Sequence, residues 1–243
     1  MAQLGIHGAV GLGVASRVKE DRVARPAGLL STTEKTRAFK FTYVLGNILP
    51  DVDFFLLGPL YLVNSKIGGS MHRTFSHSLI TVAALTLLIY LFSRSATRQA
   101  IAAGIGLGML THIVLDTIVW FSGVGLLWPL NYVGIPAQVN FWAAHQPPGW
   151  ASNLLGALDA AAIALYFWQL LRTARSRGTD AAYQPRLAFW SWFLLVPSAV
   201  LTVLSFVLQR GIFNIVAYGF FIPFLLPLTL LVTFRMKETI YQA

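Results

Sequence analysis

Seven acids and imidazoles stand in apolar surroundings in this chain: His7, Asp51, Asp53, His72, His77, His112 and Asp116. Such groups cost roughly 2.5–3.5 kcal/mol each at the centre of a membrane helix, so together they mark a site rather than a surface. The chain has no cysteine, which removes thiolate ligands, disulfides and cysteine nucleophiles. A metal bound here must take nitrogen and oxygen donors, a set suited to zinc, manganese or iron. The carboxylates suffice for one ion or two, and two ions a few ångströms apart activate water and clamp a phosphoryl group.

Spacing adds detail. His112 and Asp116 are four apart, one turn apart on one helix face, so both reach one ion. In "LPDVD" (49–53) two carboxylates stand two apart; they diverge on a helix and point the same way in a turn or extended segment. Pro50 disfavours helix at Leu49, so a helix broken at the site, or capped by Asp51, is expected. His72 and His77 are five apart, poor for one helix face. A helix beginning between them, capped by Thr74 or Ser76 with His77 in its first turn, is expected. Arg73 pairs with an aspartate or binds an anionic phosphate through its planar fork. Asp159 contacts the site or bonds a neighbouring helix. His145, in the loop "FWAAHQPPGW", reads as solvated. Gly104, Gly106 and Gly108 in "AGIGLG" read as close helix packing and not as a nucleotide loop.

The elements that must position these groups are membrane helices. The chain has 243 residues, 56% of them hydrophobic and only 11% charged, where soluble domains carry about 25% charged residues. Ordinary spans are expected at 100–121, 151–171, 188–208 and 212–234, with a short one at 78–93. Residues 41–63 and 4–16 are irregular and either cross, re-enter or lean against the bundle. The fold class is all-α, a multi-pass transmembrane bundle of five to seven segments. One integral membrane domain covers 1–243, with a motif-bearing part at 1–130 and further membrane helices at 131–243.

The net charge of +9 follows the positive-inside rule rather than nucleic-acid binding. Arg17, Lys19, Arg22, Arg25, Lys35, Arg37 and Lys40 fall on one side. Arg94, Arg98, Arg172, Arg175, Arg177, Arg186, Arg235 and Lys237 fall there too, leaving only Lys66, Arg73 and Arg210 on the other. The basic loops are therefore expected in the cytoplasm. Trp120, Trp128, Trp142 and Trp150 belt the outer side, and Trp168, Trp190 and Trp192 the inner side. In a span ending near Phe121, Asp116 lies about 8 Å and His112 about 14 Å below the outer edge. The N-terminal run lacks the basic start of a signal peptide and is expected in the mature protein.

The motif order, an N-terminal histidine, "LPDVD", "HRTFSHS" and "THIVLDTIVWFSGVGLLWPL", resembles the membrane-bound metal-dependent hydrolase family over residues 4–130. Its members are also described as LexA-binding, inner-membrane-associated hydrolases. A more distant likeness is to zinc-dependent phospholipase C. The resemblance implies the prokaryotic plasma membrane, metal-site roles for all seven acids and imidazoles, and zinc as the first choice of ion. Where the family often has a histidine after its second aspartate, this chain has Phe54.

The expected activity is metal-dependent hydrolysis of a phosphoester in a lipid or amphiphile. Asp51 or Asp53 serves as general base or bridges two ions, and Arg73 stabilises phosphoryl charge. A metal-ion or proton transporter using the same residues is the alternative, as is a non-catalytic membrane protein that binds a partner. The charge asymmetry makes a topological prediction. A cysteine placed at Gly149 is expected to react with an impermeant maleimide added outside intact cells; labelling only after the cytoplasmic face is opened contradicts it.

Overall fold

The computed structural model describes residues 4–19, 32–64, 71–93, 97–119, 123–145 and 148–243. Arg22, Arg25, Lys66, Arg94 and Trp120, used above to read topology, lie outside the described residues. Helix α1 is Leu4–Ala15 and α2 is Thr32–Ile48; a 3₁₀ turn at Leu49–Asp53 leads into α3, Phe54–Val63. A second 3₁₀ turn, Phe75–His77, precedes α4 at Leu79–Phe92, and α5 spans Arg98–Val119. Then come α6 (Gly149–Ala157), α7 (Asp159–Arg177), α8 (Gln184–Phe193) and α9 (Leu195–Val207). Helix α10 (Arg210–Phe220) passes through a π turn at Phe221–Leu225 into α11 (Leu226–Arg235), and α12 is Lys237–Gln242.

Among the described residues, five helical runs are long and apolar enough to cross a membrane: Thr33–Leu60, Arg98–Ile118, Gly149–Arg177, Gln184–Val207 and Arg210–Arg235. Leu4–Ala15 and Leu79–Phe92 are apolar but shorter. The all-α, multi-pass reading holds. The irregular 41–63 stretch lies within the first long run, and 4–16 is a short helix leaning on the bundle. Large side chains on the outside of α9 agree with lipid as solvent: Val196, Val200, Val203 and Val207, spaced by about a turn, are all exposed.

Close crossings hold the site-bearing helices in register. A Cβ on Gly104 would meet the Thr42 hydroxyl, the Phe39 carbonyl and Tyr43 N, and one on Gly108 would meet the Tyr43 carbonyl and Gly46 Cα. The matched advance from Gly104 to Gly108 along residues 39–47 means that α2 and α5 run parallel. Without side chains between them, the backbones come close enough for the His112 ring to reach the backbone carbonyl of Asn47. The crossing expected of "AGIGLG" is thus present, with Gly106 against Thr86 of α4. Helix α1 works likewise: Gly5 lies against the backbone of Ala162 and Ile163, Gly8 against Tyr166 and Gly11 against Asn47.

The basic residues Lys35, Arg37 and Arg98 begin α2 and α5, whereas Asp51, His112 and Asp116 lie toward or beyond their far ends. At the basic end Lys40 Nζ donates to the Ala243 carbonyl at 2.7 Å, and Asp180 accepts from Thr239 N and Oγ at 2.9 and 2.7 Å. The site therefore lies away from these tied-down termini.

The crossing is testable. Gly108→Val is expected to cost about 1–3 kcal/mol of stability through overpacking, seen as a lower thermal midpoint in detergent. Gly149→Ala, whose Cβ meets nothing within 4 Å, is expected to leave that midpoint unchanged.

Candidate metal centre

The "HRTFSHS" segment is a compact turn pinned by the loop that follows α5. Gly125 N donates to the Arg73 carbonyl at 2.7 Å, and Leu79 N to the Leu126 carbonyl at 2.9 Å. Ser78 Oγ donates to the Trp128 carbonyl at 2.6 Å, and the loop closes on itself through an antiparallel bridge, Val124 to Val139. A side chain at 125 would press on the Arg73 carbonyl and Thr74 Cα, so glycine lets the loop lie flush on the turn. A 3₁₀ turn does start between His72 and His77. The α-helix starts later than expected, at Leu79, and its cap is Ser78, which accepts from Ile80 N at 3.1 Å. Thr74 and Ser76 do not cap it: Thr74 Oγ bonds the Met71 carbonyl, and Ser76 faces the site.

"LPDVD" is neither extended nor broken. It winds into a 3₁₀ turn between two α-helices, with Pro50 near the start where its missing N–H costs least. Neither aspartate caps a helix with its side chain. The tighter winding sends the two carboxylates to opposite nitrogens of one ring. Asp53 oxygens lie 3.0 and 3.1 Å from His72 Nδ1, and Asp51 Oδ1 lies 3.9 Å from His72 Nε2.

The hydrogen bonds fix the tautomers. His112 Nδ1 is 2.7 Å from the Asn47 carbonyl, which can only accept, so this nitrogen carries the proton. His72 Nδ1 donates to the Asp53 carboxylate. Ser76 Oγ donates to Asp53 Oδ2 at 2.7 Å, so it accepts from His77 Nδ1 at 2.8 Å. In the neutral form each of the three rings thereby turns an unprotonated Nε2 inward. Burial pushes His72 down to about 4 despite the Asp53 carboxylate beside it, so its ring is neutral near pH 7.

These inward atoms converge. His77 Nε2 and His112 Nε2 are 3.1 Å apart, two lone pairs face to face. Asp51 Oδ1 is 3.9 Å from His77 Nε2 and 3.6 Å from His112 Nε2, while Asp116 Oδ2 is 3.3 and 3.9 Å from the same atoms. Donors about 2.0–2.1 Å from one tetrahedral ion stand about 3.3 Å apart. Both Asp51 oxygens and His72 Nε2 are buried without a hydrogen-bond partner. A buried carboxylate without a partner carries a penalty of several kcal/mol, which a cation among these atoms removes. The donor set thus fits a divalent ion. Among the described residues, two groups place three donors within 4.8 Å of one another, close enough for one ion: Asp51, His72 and His77, and His7, His112 and Asp116.

His7 reaches the site from α1. Its ring stacks on His112 with centroids 3.7 Å apart, and its Nε2 lies 3.0 Å from Asp116 Oδ1. Arg73 Nε donates to Asp116 Oδ2 at 3.0 Å, so of the two expectations for Arg73 the aspartate pair is present. Arg73 holds a positive φ of 64°, a strained conformation for a non-glycine residue and one that gathers at functional sites. Phe54 lies tilted against His72, ring centroids 4.1 Å apart, and packs edge-on against Phe221 of the π turn.

All seven predicted metal residues therefore meet in one buried cluster, six of them with a nitrogen or oxygen toward its centre. Asp53 instead faces the outer nitrogens of the histidines. Asp159 is held apart: its Oδ1 accepts from Gly5 N at 3.5 Å, as the helix-bonding reading expects. His145 is exposed. The sequence reading missed Ser76 as a link to Asp53 and the Asn47 carbonyl as the orienter of His112.

With this geometry in place, comparison is decisive at the family level: the YdjM inner membrane protein family matches residues 1–211. The chain belongs to that family. The match passes well beyond residue 130, so membership in the YdjM family takes in helices that looked generic in sequence. It supports an inner-membrane, multi-pass protein. No curated protein and no solved structure matches the chain.

The Ser76 link is testable. Ser76→Ala is expected to weaken metal binding about 10–100-fold, the usual cost of losing a partner behind a ligating histidine, with thermal stability little changed. Titration of metal-free protein with zinc measures it.

Proposed function

We propose that this chain is a membrane-embedded, metal-dependent hydrolase acting on a phosphoester of a lipid or other amphiphile. The convergence of three inward Nε2 atoms on the partnerless Asp51 carboxylate carries this reading. Support also comes from the cavity of about 720 Å³ that opens beside the cluster, lined by His72, Arg73 and the 123–138 loop.

Asp51, His72, His77, His112 and Asp116 would hold the ion, zinc first, with manganese or iron compatible with the same donors. The shared inner positions favour one ion, with His7 steadying Asp116. A divalent ion there supplies a Lewis acid that makes water nucleophilic near neutral pH. Asp53 serves as orienter rather than base, because His72 and Ser76 engage its oxygens. Asp51 is the better general base, its second oxygen having no partner. It takes a proton from the attacking water as oxygen adds to phosphorus. The P–O bond to the alcohol breaks, and the departing alcohol receives the proton that Asp51 took, which returns the carboxylate to its starting state. Arg73, anchored through Nε by Asp116, presents a guanidinium at the cavity wall for a phosphoryl oxygen.

Transport is the less favoured reading. On the basic side of the cluster, α2 and α5 contribute the buried apolar Val44, Ile48, Ile105 and Met109, and the polar Thr42 and Asn47 there donate to carbonyls of α2 itself, where a transport path needs a run of polar groups.

Purified protein given zinc or manganese is expected to hydrolyse bis(p-nitrophenyl) phosphate or a phospholipid. Asp51→Asn is expected to lose about 10²–10⁴-fold in kcat. Metal uptake into proteoliposomes without hydrolysis of any phosphoester contradicts the reading and favours transport.

A further inference from the structure

The cavity beside the cluster has a chemical character of its own. Among the described residues lining it, Arg73 is the one Lys or Arg and none is an acid. The far wall offers the amides of Asn131 and Gln138 and the hydroxyl of Thr74 beside the apolar Ile135. Among the described residues a single aromatic ring lines it, Trp128, and that ring meets Phe75 edge-on at 6.1 Å. Ammonium head groups are recognised by aromatic cages or by carboxylates, and the described lining residues provide neither. Amides pair instead with hydroxyls, both donating and accepting. The volume of about 720 Å³ lies within the usual range of roughly 300–1,000 Å³ for small-molecule sites and exceeds what a bare phosphate needs.

The rim of the same cavity points to where its ligand comes from. Residues 117–158 contain no Lys, Arg, Asp or Glu. On this loop Asn131 and Ile135 turn to the cavity while their neighbours Tyr132 and Val133 stand outward, 77% and 73% exposed. An uncharged loop with outward aromatic and branched side chains suits the membrane interface. Wall and rim are thus one segment, facing the cavity on one side and outward on the other.

We infer that the cavity takes the head group of a membrane phospholipid whose alcohol is uncharged and hydroxyl-bearing, presented from the bilayer interface. The inference rests on the hydrolase reading and names its substrate class. Arg73 meets the phosphoryl oxygen, and Asn131 and Gln138 hold the hydroxyls of the departing alcohol. Placing a carboxylate in the wall would admit an ammonium.

The test uses the full chain, zinc-loaded, in vesicles of phosphatidylglycerol or of phosphatidylcholine, with bis(p-nitrophenyl) phosphate and glycerophosphoglycerol as soluble substrates. Phosphatidylglycerol is expected to be cleaved with kcat/KM at least about 10-fold above phosphatidylcholine and above soluble glycerophosphoglycerol. Gln138→Glu is expected to narrow or reverse the preference over phosphatidylcholine. Equal cleavage of both lipids overturns the head-group assignment and leaves the hydrolase reading standing. Glycerophosphoglycerol cleaved as well as the lipid overturns the membrane source. No cleavage of any of the four overturns the hydrolase reading and this inference with it.

Discussion

A carboxylate without a partner, enclosed in an apolar bundle, is the constraint around which this structure is arranged. Asp51 is fully buried, and neither of its oxygens has a hydrogen-bond partner. Left alone, such a group destabilises the fold by several kcal/mol. The surrounding atoms do not relieve it by hydrogen bonding, because each neighbouring histidine spends its proton on the far side. His112 gives it to the Asn47 carbonyl, His72 to Asp53, and His77 to Ser76. Asp51 and the three inward histidine nitrogens then face one point, an arrangement whose repulsion a cation standing there relieves.

The rest of the bundle keeps that point fixed. Gly46, Gly104 and Gly108 bring α2 and α5 close enough for a side chain on one to bond the backbone of the other. The loop carrying Gly125 clamps the "HRTFSHS" turn, and its bond to the Arg73 carbonyl holds a strained backbone in place. Asp53 and Ser76 act on both histidines of that turn at once. A change in either therefore disturbs both His72 and His77, two of the proposed ligands. Helix α1, only Leu4–Ala15, is too short to cross, yet its glycines seat it so that His7 covers the face of His112. Its role is to complete the cluster rather than to span.

Much of this was legible in the sequence because the membrane makes polar residues conspicuous. Asp51, His72, His77, His112 and Asp116 stood out from apolar runs, and their convergence follows from the expense of burying each alone. The "AGIGLG" packing face was legible for the same reason, since small residues let membrane helices approach. Less legible was the winding of "LPDVD". The choice between a turn, an extended strand and a 3₁₀ helix depends on what α3 packs against, and Phe54 against Phe221 of a distant π turn is a tertiary contact. That winding separates Asp51 from Asp53 in role. The helix start at Leu79 was misplaced because the bonds that fix it come from Leu126 and Trp128, about fifty residues away. Local capping rules see Thr74, Ser76 and Ser78 alike.

The central claim is that the inward-facing atoms exist to hold a cation. The direct measurement is metal content per chain, by elemental analysis of protein purified in detergent without chelator, wild type beside Asp51→Asn, His112→Ala and Asp116→Ala. The account predicts about one zinc, manganese or iron per wild-type chain and a large loss in all three folded variants. Equal metal content in the four proteins, or a wild type that stays folded and binds no divalent ion on titration, would contradict it.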